Sequence, residues 1–266
     1  MGSKDNYDYL VDYLADHGYV CIQPSHEDAL KAMPPQGRML KAREIIRSLP
    51  ANSSAWDNRA KDISFIIDSL AVVQKQLPVS IDPSRIACGG HSLGAFTTAL
   101  IIGAEPPSPA TRKDYLDKRI SAALLMSPQV VRRSENDFGF GDLQAWKRLT
   151  VPCLFLSGHN DTTQWATFEE RKQSFLNCPA GNKFFATIQG ASHMTFAGRD
   201  KESRILGGGG FAGVPQATEG NTIMMTQEID KVSCCFLDAF MKHDARAMSL
   251  LNTANAFGNL VYMKSR

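Results

Sequence analysis

The chain has 266 residues, of which 43% are hydrophobic and 21% are charged, and its formal net charge is +2. This length supports one large domain with a sizeable core, and the composition excludes a disordered chain. The near-neutral balance gives no reason to expect nucleic acid or an anionic membrane as a partner. No apolar run approaches the roughly 18–20 residues of a membrane span, so we expect no integral membrane segment.

Six cysteines are present, and none of them shows the spacing of metal ligands. Cys21, Cys88 and Cys153 each lie in an apolar, strand-like run, where a thiol acts as a small buried hydrophobe. We therefore predict reduced structural thiols, no metal and no cofactor. Residues 1–6 have no signal-peptide pattern, so a cytoplasmic protein is expected unless a secretion signal precedes this sequence.

The first predicted elements are a helix and a strand. Residues 6–17 place apolar side chains at helical spacing, and the apolar run 19–23 predicts a short buried strand of a parallel sheet. Residues 24–55 form a connection with a helical centre and several prolines, which is either the rim of a pocket or a surface excursion. A long helix follows, with a buried apolar stripe from Ala60 to Val73.

Further apolar runs predict four more strands, each separated from the next by helical or loop segments. They span 84–90, 119–126, 151–157 and 183–189, the last strand that we predict. A glycine-containing loop at 198–221 is a second candidate for a pocket rim, and a long final helix is predicted over 222–242. This alternation predicts a single α/β domain over residues 1–266, built on a doubly wound, mostly parallel sheet.

The segment Gly90-His-Ser-Leu-Gly94 follows one of these strands and precedes a small-residue helical stretch. G-x-S-x-G in this setting is typical of a nucleophile elbow, in which Ser92 adopts a strained backbone that glycine at the flanking positions permits. The free N–H groups of the following helix favour an oxyanion, so the Leu93 backbone N–H is a candidate donor. The alternative interpretation is an ordinary glycine-rich turn.

Two later strand ends supply candidates for the base and the acid that a serine nucleophile needs. Asp161 follows the strand 151–157, and its alternative role is that of a turn residue. His193 follows the strand 183–189 at a glycine-marked turn and is our candidate for the general base, with His159 as a weaker alternative. Because the carboxyl ends of parallel strands share one edge of a sheet, Ser92, Asp161 and His193 are predicted to meet there.

Four other residues are candidates for the substrate pocket. His91 is the variable residue of the elbow and is expected to pack beside the serine, whereas His26 either lines the pocket or is a solvated loop residue. Trp165 and Met194 are the other two candidates.

Three stretches resemble the α/β-hydrolase superfamily: Ala87-Cys-Gly-Gly-His-Ser-Leu-Gly-Ala95, Leu156-Ser-Gly-His-Asn-Asp161 and Gly190-Ala-Ser-His-Met-Thr-Phe196. They are most similar to dienelactone-hydrolase-like and platelet-activating-factor-acetylhydrolase-like esterases. The order Ser, Asp, His also matches this superfamily. True dienelactone hydrolases use a cysteine nucleophile, so the serine here implies esterase chemistry. Bacterial cutinases and polyester hydrolases have a similar core, which keeps polymer substrates open.

The resemblance implies a carboxylesterase that cleaves small-molecule esters of short to medium acyl chain through a Ser-His-Asp triad and an acyl-enzyme. The alternatives are amide, thioester or polyester hydrolysis by the same triad, or a non-catalytic binding protein. One departure bears on this expectation. Members usually carry two or three strands before the first helix, and a loop after them supplies the second oxyanion donor. Here the sequence opens directly in front of the helix, so the fold is expected without those strands and the second donor is unassigned. The sequence does not fix the oligomeric state.

Overall fold

A computed structural model describes residues 7–28, 53–106, 114–130, 139–140, 142–163, 165–198 and 219–266. Seven helices lie in these ranges: α1 Asp8–Asp16, α2 Ser53–Asp68, α3 Leu70–Gln74, α4 Leu93–Ile101, α5 Phe168–Leu176, α6 Glu219–Met241 and α7 Ala245–Leu251. The five strands are β1 Ile86–His91, β2 Ile120–Met126, β3 Cys153–Asn160, β4 Lys183–Ser192 and β5 Val261–Ser265. Two short 3-10 helices, Leu143–Arg148 and Thr195–Ala197, complete the set. None of the helices described here is long and apolar enough to cross a membrane.

The five strands form one sheet in the order β1-β2-β3-β4-β5. The first four run parallel, with Gly90 opposite Leu125 on β2 and Leu156 opposite Ala186 on β4. β5 is antiparallel to β4. The predicted α/β architecture with a mostly parallel sheet is therefore confirmed, and the carboxyl ends of β1–β4 lie at one edge.

Alternating side chains of the buried strands pack into two separate cores, one on each face of the sheet. On β3, Leu154 and Leu156 join a core formed with α1, α6 and α7, while Cys153 and Phe155 join the core formed with α2, α4 and α5. This alternation follows from the two-residue period of a strand. It explains why these strands read as continuous apolar runs, since both faces are covered.

The prediction of a strand at 19–23 is wrong for the described structure. The segment is assigned neither helix nor strand, and none of the described strands pairs with it. Val20 and Ile22 are 41% and 40% exposed, so the apolar run is only partly buried. An apolar run forms a strand only where a neighbouring strand satisfies its backbone groups, and that partner is a tertiary feature.

Other differences lie at element boundaries and at the end of the chain. The helix predicted to continue through Val73 is interrupted at Ser69, where α2 ends and α3 begins. Residues 183–189 are not the last strand, because β5 follows with alternating buried and exposed side chains. The predicted rim segments 24–55 and 198–221 fall mostly outside the described residues, and they stay predictions together with the single domain and the cytoplasmic location.

Candidate active site

Ser92 lies in a sharp turn between β1 and α4, with φ of 55° and ψ of −113°. This backbone conformation is rare for a residue with a side chain and agrees with the strain that the motif predicts. A Cβ atom at Gly90 would overlap the backbone of Gly94, so glycine is required at that position. The same requirement does not hold at Gly94, where an added Cβ would meet nothing within 4 Å. The tight turn thus depends on the close approach of the Gly90 and Gly94 backbones.

The structure brings Ser92, His193 and Asp161 together in one chain of hydrogen bonds. His193 Nε2 lies 3.0 Å from Ser92 Oγ, and His193 Nδ1 lies 3.1 Å from Asp161 Oδ1. Asp161 directly follows β3, and His193 directly follows β4. Parallel pairing of these strands places both side chains at the edge where the elbow ends β1. His159, the alternative base, is exposed and its ring packs near Phe168, 5.7 Å between centroids.

Asp161 is fully buried beside a fully buried arginine. Arg171 Nε lies 3.0 Å from Asp161 Oδ1, and both side chains have no exposed surface. Ser157 Oγ donates to the other carboxylate oxygen at 2.9 Å. Burial by itself raises the pKa of Asp161, but Arg171 and the hydrogen bond from His193 outweigh burial and hold that pKa below its usual range. Asp161 therefore carries the charge that orients the imidazole.

Arg171 lies on α5, and its ion pair with Asp161 was not predicted from the sequence. Its guanidinium also donates to the Pro128 carbonyl at 2.8 Å and to Thr163 Oγ1 at 3.0 Å. A capping box of Thr167 and Glu170 fixes the first turn of this helix and so fixes where Arg171 points. Nothing in the apolar periodicity of this segment of the sequence distinguishes a buried arginine from a solvated one.

Ser127 is a second missed residue. It follows β2 with φ of 48°, and its hydroxyl lies 2.6 Å from His193 Nδ1. Burial and the Arg171 charge lower the pKa of His193, while Asp161 opposes this shift. The imidazole is thus neutral at pH 7, with Nε2 free to accept a proton from Ser92 when Nδ1 carries the hydrogen.

Gln129 lies two residues further along the same turn and is 2% exposed. Its Nε2 lies 3.3 Å from Ser92 Oγ. Its Oε1 is buried without a hydrogen-bond partner in the described part of the chain. The turn that follows β2 therefore contributes two side chains to the site: Ser127 contacts His193, and Gln129 contacts Ser92.

The predicted pocket residues occupy different surroundings. His91 is 8% exposed and packs on His193 with ring centroids 4.6 Å apart, while its Nδ1 shares a hydrogen bond of 3.1 Å with Tyr7 Oη. Burial lowers the pKa of His91 well below its ordinary value and raises the pKa of Tyr7 to about 12, so both are neutral at pH 7. His26 Nδ1 lies 2.6 Å from Asp62 on α2.

Trp165 is half-buried against the core that includes Phe155, and Met194 is half-buried directly after His193. The substrate-contact roles of both residues stay predictions, as does that of His26. In the ranges that the structure describes, no group of three or more His, Cys, Asp or Glu side chains is placed to hold a metal ion. All six cysteines are free.

Among curated proteins, the chain is similar to Cutinase est2 from Thermobifida alba. The two are 24% identical over 194 residues, which cover 73% of this chain and 49% of the relative. The chain thus spans about half the length of the curated relative it matches. No family model matches the chain. The likeness and the mostly parallel sheet together fit an α/β-hydrolase.

Proposed function

We propose that this protein is a serine hydrolase that cleaves carboxylic esters of short to medium acyl chain. The observation that carries the proposal is the continuous hydrogen-bonded chain from Ser92 through His193 to Asp161, with Ser92 on a strained elbow. Each group stands in the protonation state that nucleophilic catalysis needs: a neutral imidazole and an ionised carboxylate. The match to a protein named as a cutinase supports ester hydrolysis at a general level.

In the proposed first step, Ser92 Oγ attacks the acyl carbonyl carbon while its proton passes to His193 Nε2. The carbonyl π electrons move to oxygen, and the Leu93 backbone N–H at the start of α4 donates to this oxyanion. The intermediate then collapses, the carbon–oxygen bond to the alcohol breaks, and the alcohol leaves with the proton from His193. Asp161 stabilises the imidazolium that forms in between.

In the second half, water attacks the acyl-enzyme and gives its proton to His193. The ester bond to Ser92 breaks, the acid leaves, and Ser92 Oγ recovers the proton. We place the chain in the dienelactone-hydrolase-like and acetylhydrolase-like branch because its three motif stretches resemble that branch. Support for ester hydrolysis comes from Ser92, Asp161 and His193 at the strand ends and not from the fold, since one fold can serve many functions.

A second candidate substrate is a polyester, and the observation that favours it is the named cutinase relative. The same triad would attack a polymer ester by the same steps. Release of soluble acid from a polyester film, measured beside hydrolysis of soluble esters, separates the two substrates. A polyester hydrolase is expected to release acid from the film, and a small-ester hydrolase is not.

The test is hydrolysis of p-nitrophenyl acetate, butyrate and octanoate by the wild type and by Ser92→Ala. We expect activity with the shorter esters that falls about 10⁴-fold or more in the variant, together with loss of labelling by a fluorophosphonate probe. Ser249→Ala, at an exposed position on α7, is the matched control and should keep full activity. A folded wild type with neither turnover nor labelling would overturn the proposal in favour of a non-catalytic binding protein.

A further inference from the structure

The reaction proposed above needs hydrogen-bond donors for the oxyanion, and the sequence supplies an assignment for one donor only, the Leu93 N–H. Removing one such donor from a hydrolase typically costs about 10²–10³ in kcat, so a second donor has a large effect. Among the described residues, Gln129 is the one whose side-chain N–H reaches Ser92 Oγ. This residue has no role in the steps described so far.

The orientation of the Gln129 amide follows from the direction of proton transfer. Ser92 Oγ must donate its hydrogen to His193 Nε2 at 3.0 Å, so the same oxygen can only accept from Gln129. The group that faces Oγ at 3.3 Å is therefore the amide NH2 and not the amide oxygen.

The backbone around Gln129 is held firmly in place. Arg171 donates to the carbonyls of Ser127 and Pro128, at 3.3 Å and 2.8 Å, directly before Gln129. On the other side of Gln129, the Val130 carbonyl accepts from the Phe140 N–H at 2.7 Å. These contacts hold the backbone from which the Gln129 amide reaches Ser92, and a donor already close to the reacting atoms needs little reorganisation when charge develops there.

We propose that Gln129 is a catalytic residue that donates a hydrogen bond to the oxyanion through its side-chain amide. In the free protein this amide donates to Ser92 Oγ. When Oγ bonds to the carbonyl carbon, Oγ becomes a weaker acceptor and the carbonyl oxygen becomes an anion. The two oxygens are then bonded to one tetrahedral carbon and lie closer together than a hydrogen-bond length. A small rotation of the side chain transfers the N–H from Oγ to the oxyanion.

This contact forms with the tetrahedral intermediate and not with the bound ester, so it should act on kcat more than on KM. The Oε1 of Gln129, buried and without a hydrogen-bond partner among the described residues, is consistent with a side chain whose position serves its donor. A buried polar atom without a partner costs free energy, and such a cost is usually retained only where a function needs it.

The proposal rests on the proposed ester hydrolysis, and the experiment separates the two. Gln129→Met keeps the shape of the side chain and removes the donor. We expect kcat for p-nitrophenyl butyrate to fall about 10²–10³-fold with KM changed less than about threefold. Gln129→Glu should lose at least as much because a carboxylate beside an oxyanion repels it. Gln144→Met, at an exposed position, is the matched control and should behave as the wild type.

A trifluoromethyl ketone inhibitor gives the decisive second measurement, since its adduct with Ser92 carries the oxyanion. Its inhibition constant should rise in Gln129→Met by the same factor by which kcat/KM falls. Circular dichroism and thermal unfolding of each variant check that the fold is kept, and Gln129→Asn supplies a milder variant if Gln129→Met unfolds.

Three outcomes overturn the proposal. If the wild type hydrolyses esters and kcat of Gln129→Met stays within about threefold of the wild type, the donor role of Gln129 is wrong, while the proposed ester hydrolysis stands. If KM rises while kcat and ketone inhibition keep their wild-type values, Gln129 binds substrate and does not stabilise the oxyanion. If the folded wild type neither hydrolyses esters nor reacts with a fluorophosphonate, the proposed function fails and this inference fails with it.

Discussion

The two sides of the candidate site are built by different means. On its inner side, the ends of β2, β3 and β4 are joined by strand ladders, and Asp161 and Arg171 are fully buried between them. On its outer side, none of the described strands pairs with the free edge of β1. Side-chain contacts lie near the end of β1: Tyr7 bonds to His91, and Arg59, whose charge acts on the pKa of Tyr7, pairs with Asp28.

This difference has a physical consequence. A strand ladder is held by hydrogen bonds between backbones, which a side-chain substitution does not remove. A substitution on the inner side therefore affects rate and stability mainly by changing a buried charge. A surface held by a few side chains depends on each of them separately. We therefore expect inner-side substitutions to change both rate and stability, and outer-side substitutions to change stability more than rate.

The largest effect is expected for Asp161→Asn. The neutral amide removes the charge that orients His193 and favours the wrong tautomer, so kcat for p-nitrophenyl butyrate should fall about 10⁴-fold. Steady-state kinetics beside circular dichroism measure this. Asp16→Asn, at the exposed end of α1, is the matched control and should have no effect. A loss smaller than about 100-fold would show that another group orients His193.

Arg171→Met should destabilise the protein by about 3–5 kcal/mol, because it leaves the Asp161 carboxylate buried without its cation. Denaturant unfolding measures this change. Lys172→Met on the same helix removes an exposed pair with Glu169 and should cost less than about 1 kcal/mol. Equal losses in the two variants would contradict the inner-side interpretation.

The same variant should change the pH profile. Burial and Arg171 both lower the pKa of His193, so wild-type kcat/KM should stay constant on acidification until the pH is below about 6.5, the ordinary histidine value. The unfolded chain has the ordinary histidine pKa, and the native protein has a lower one. Below about pH 6.5 the unfolded imidazole therefore binds a proton that the native one does not, and the free energy of unfolding decreases as the pH falls. In Arg171→Met the acid limb of the rate profile should move to higher pH. An unchanged limb would show that Arg171 does not act on His193.

On the outer side, Arg59→Ala should cost about 2 kcal/mol of stability while kcat changes less than about threefold. Arg59 is 6% exposed and donates twice to the Asp28 carboxylate, at 3.0 Å and 2.9 Å. Thermal unfolding and ester hydrolysis measured on one preparation test both parts. A large fall in kcat without a fall in stability would place Arg59 in the site and remove the contrast.

The smallest effect is expected at Asp230, which lies on α6 close to Tyr9 of α1. Burial raises the pKa of Asp230 to about 7, and its Oδ1 has no hydrogen-bond partner among the described residues. A raised carboxyl pKa means that its contribution to stability is complete below pH 3.8 and is lost as the pH rises through 7. The stability of Asp230→Asn relative to the wild type should therefore increase from pH 4 to pH 8, and at pH 8 the variant should be more stable by about 1 kcal/mol. A gain that does not depend on pH would contradict this.

Much of the fold could be predicted because its signals are local. The apolar runs that became β2, β3 and β4 are largely buried on both faces, and helical periodicity marked α1, α2 and α6. The segment 19–23 shows where this reasoning stops. Its composition is that of a strand, but whether a strand forms depends on a neighbour that its own residues do not specify.

The sequence by itself determined that Ser92, Asp161 and His193 lie at one edge of the sheet. Each follows an apolar run, and parallel strands end at a common edge, so position along the chain was sufficient. Only the tertiary structure decided that Arg171, Ser127 and Gln129 join them. A buried arginine on a helix and two polar residues after a strand have no periodic signature. Their partners come from other elements, and the packing of α5 against the ends of β2 and β3 brings them into contact.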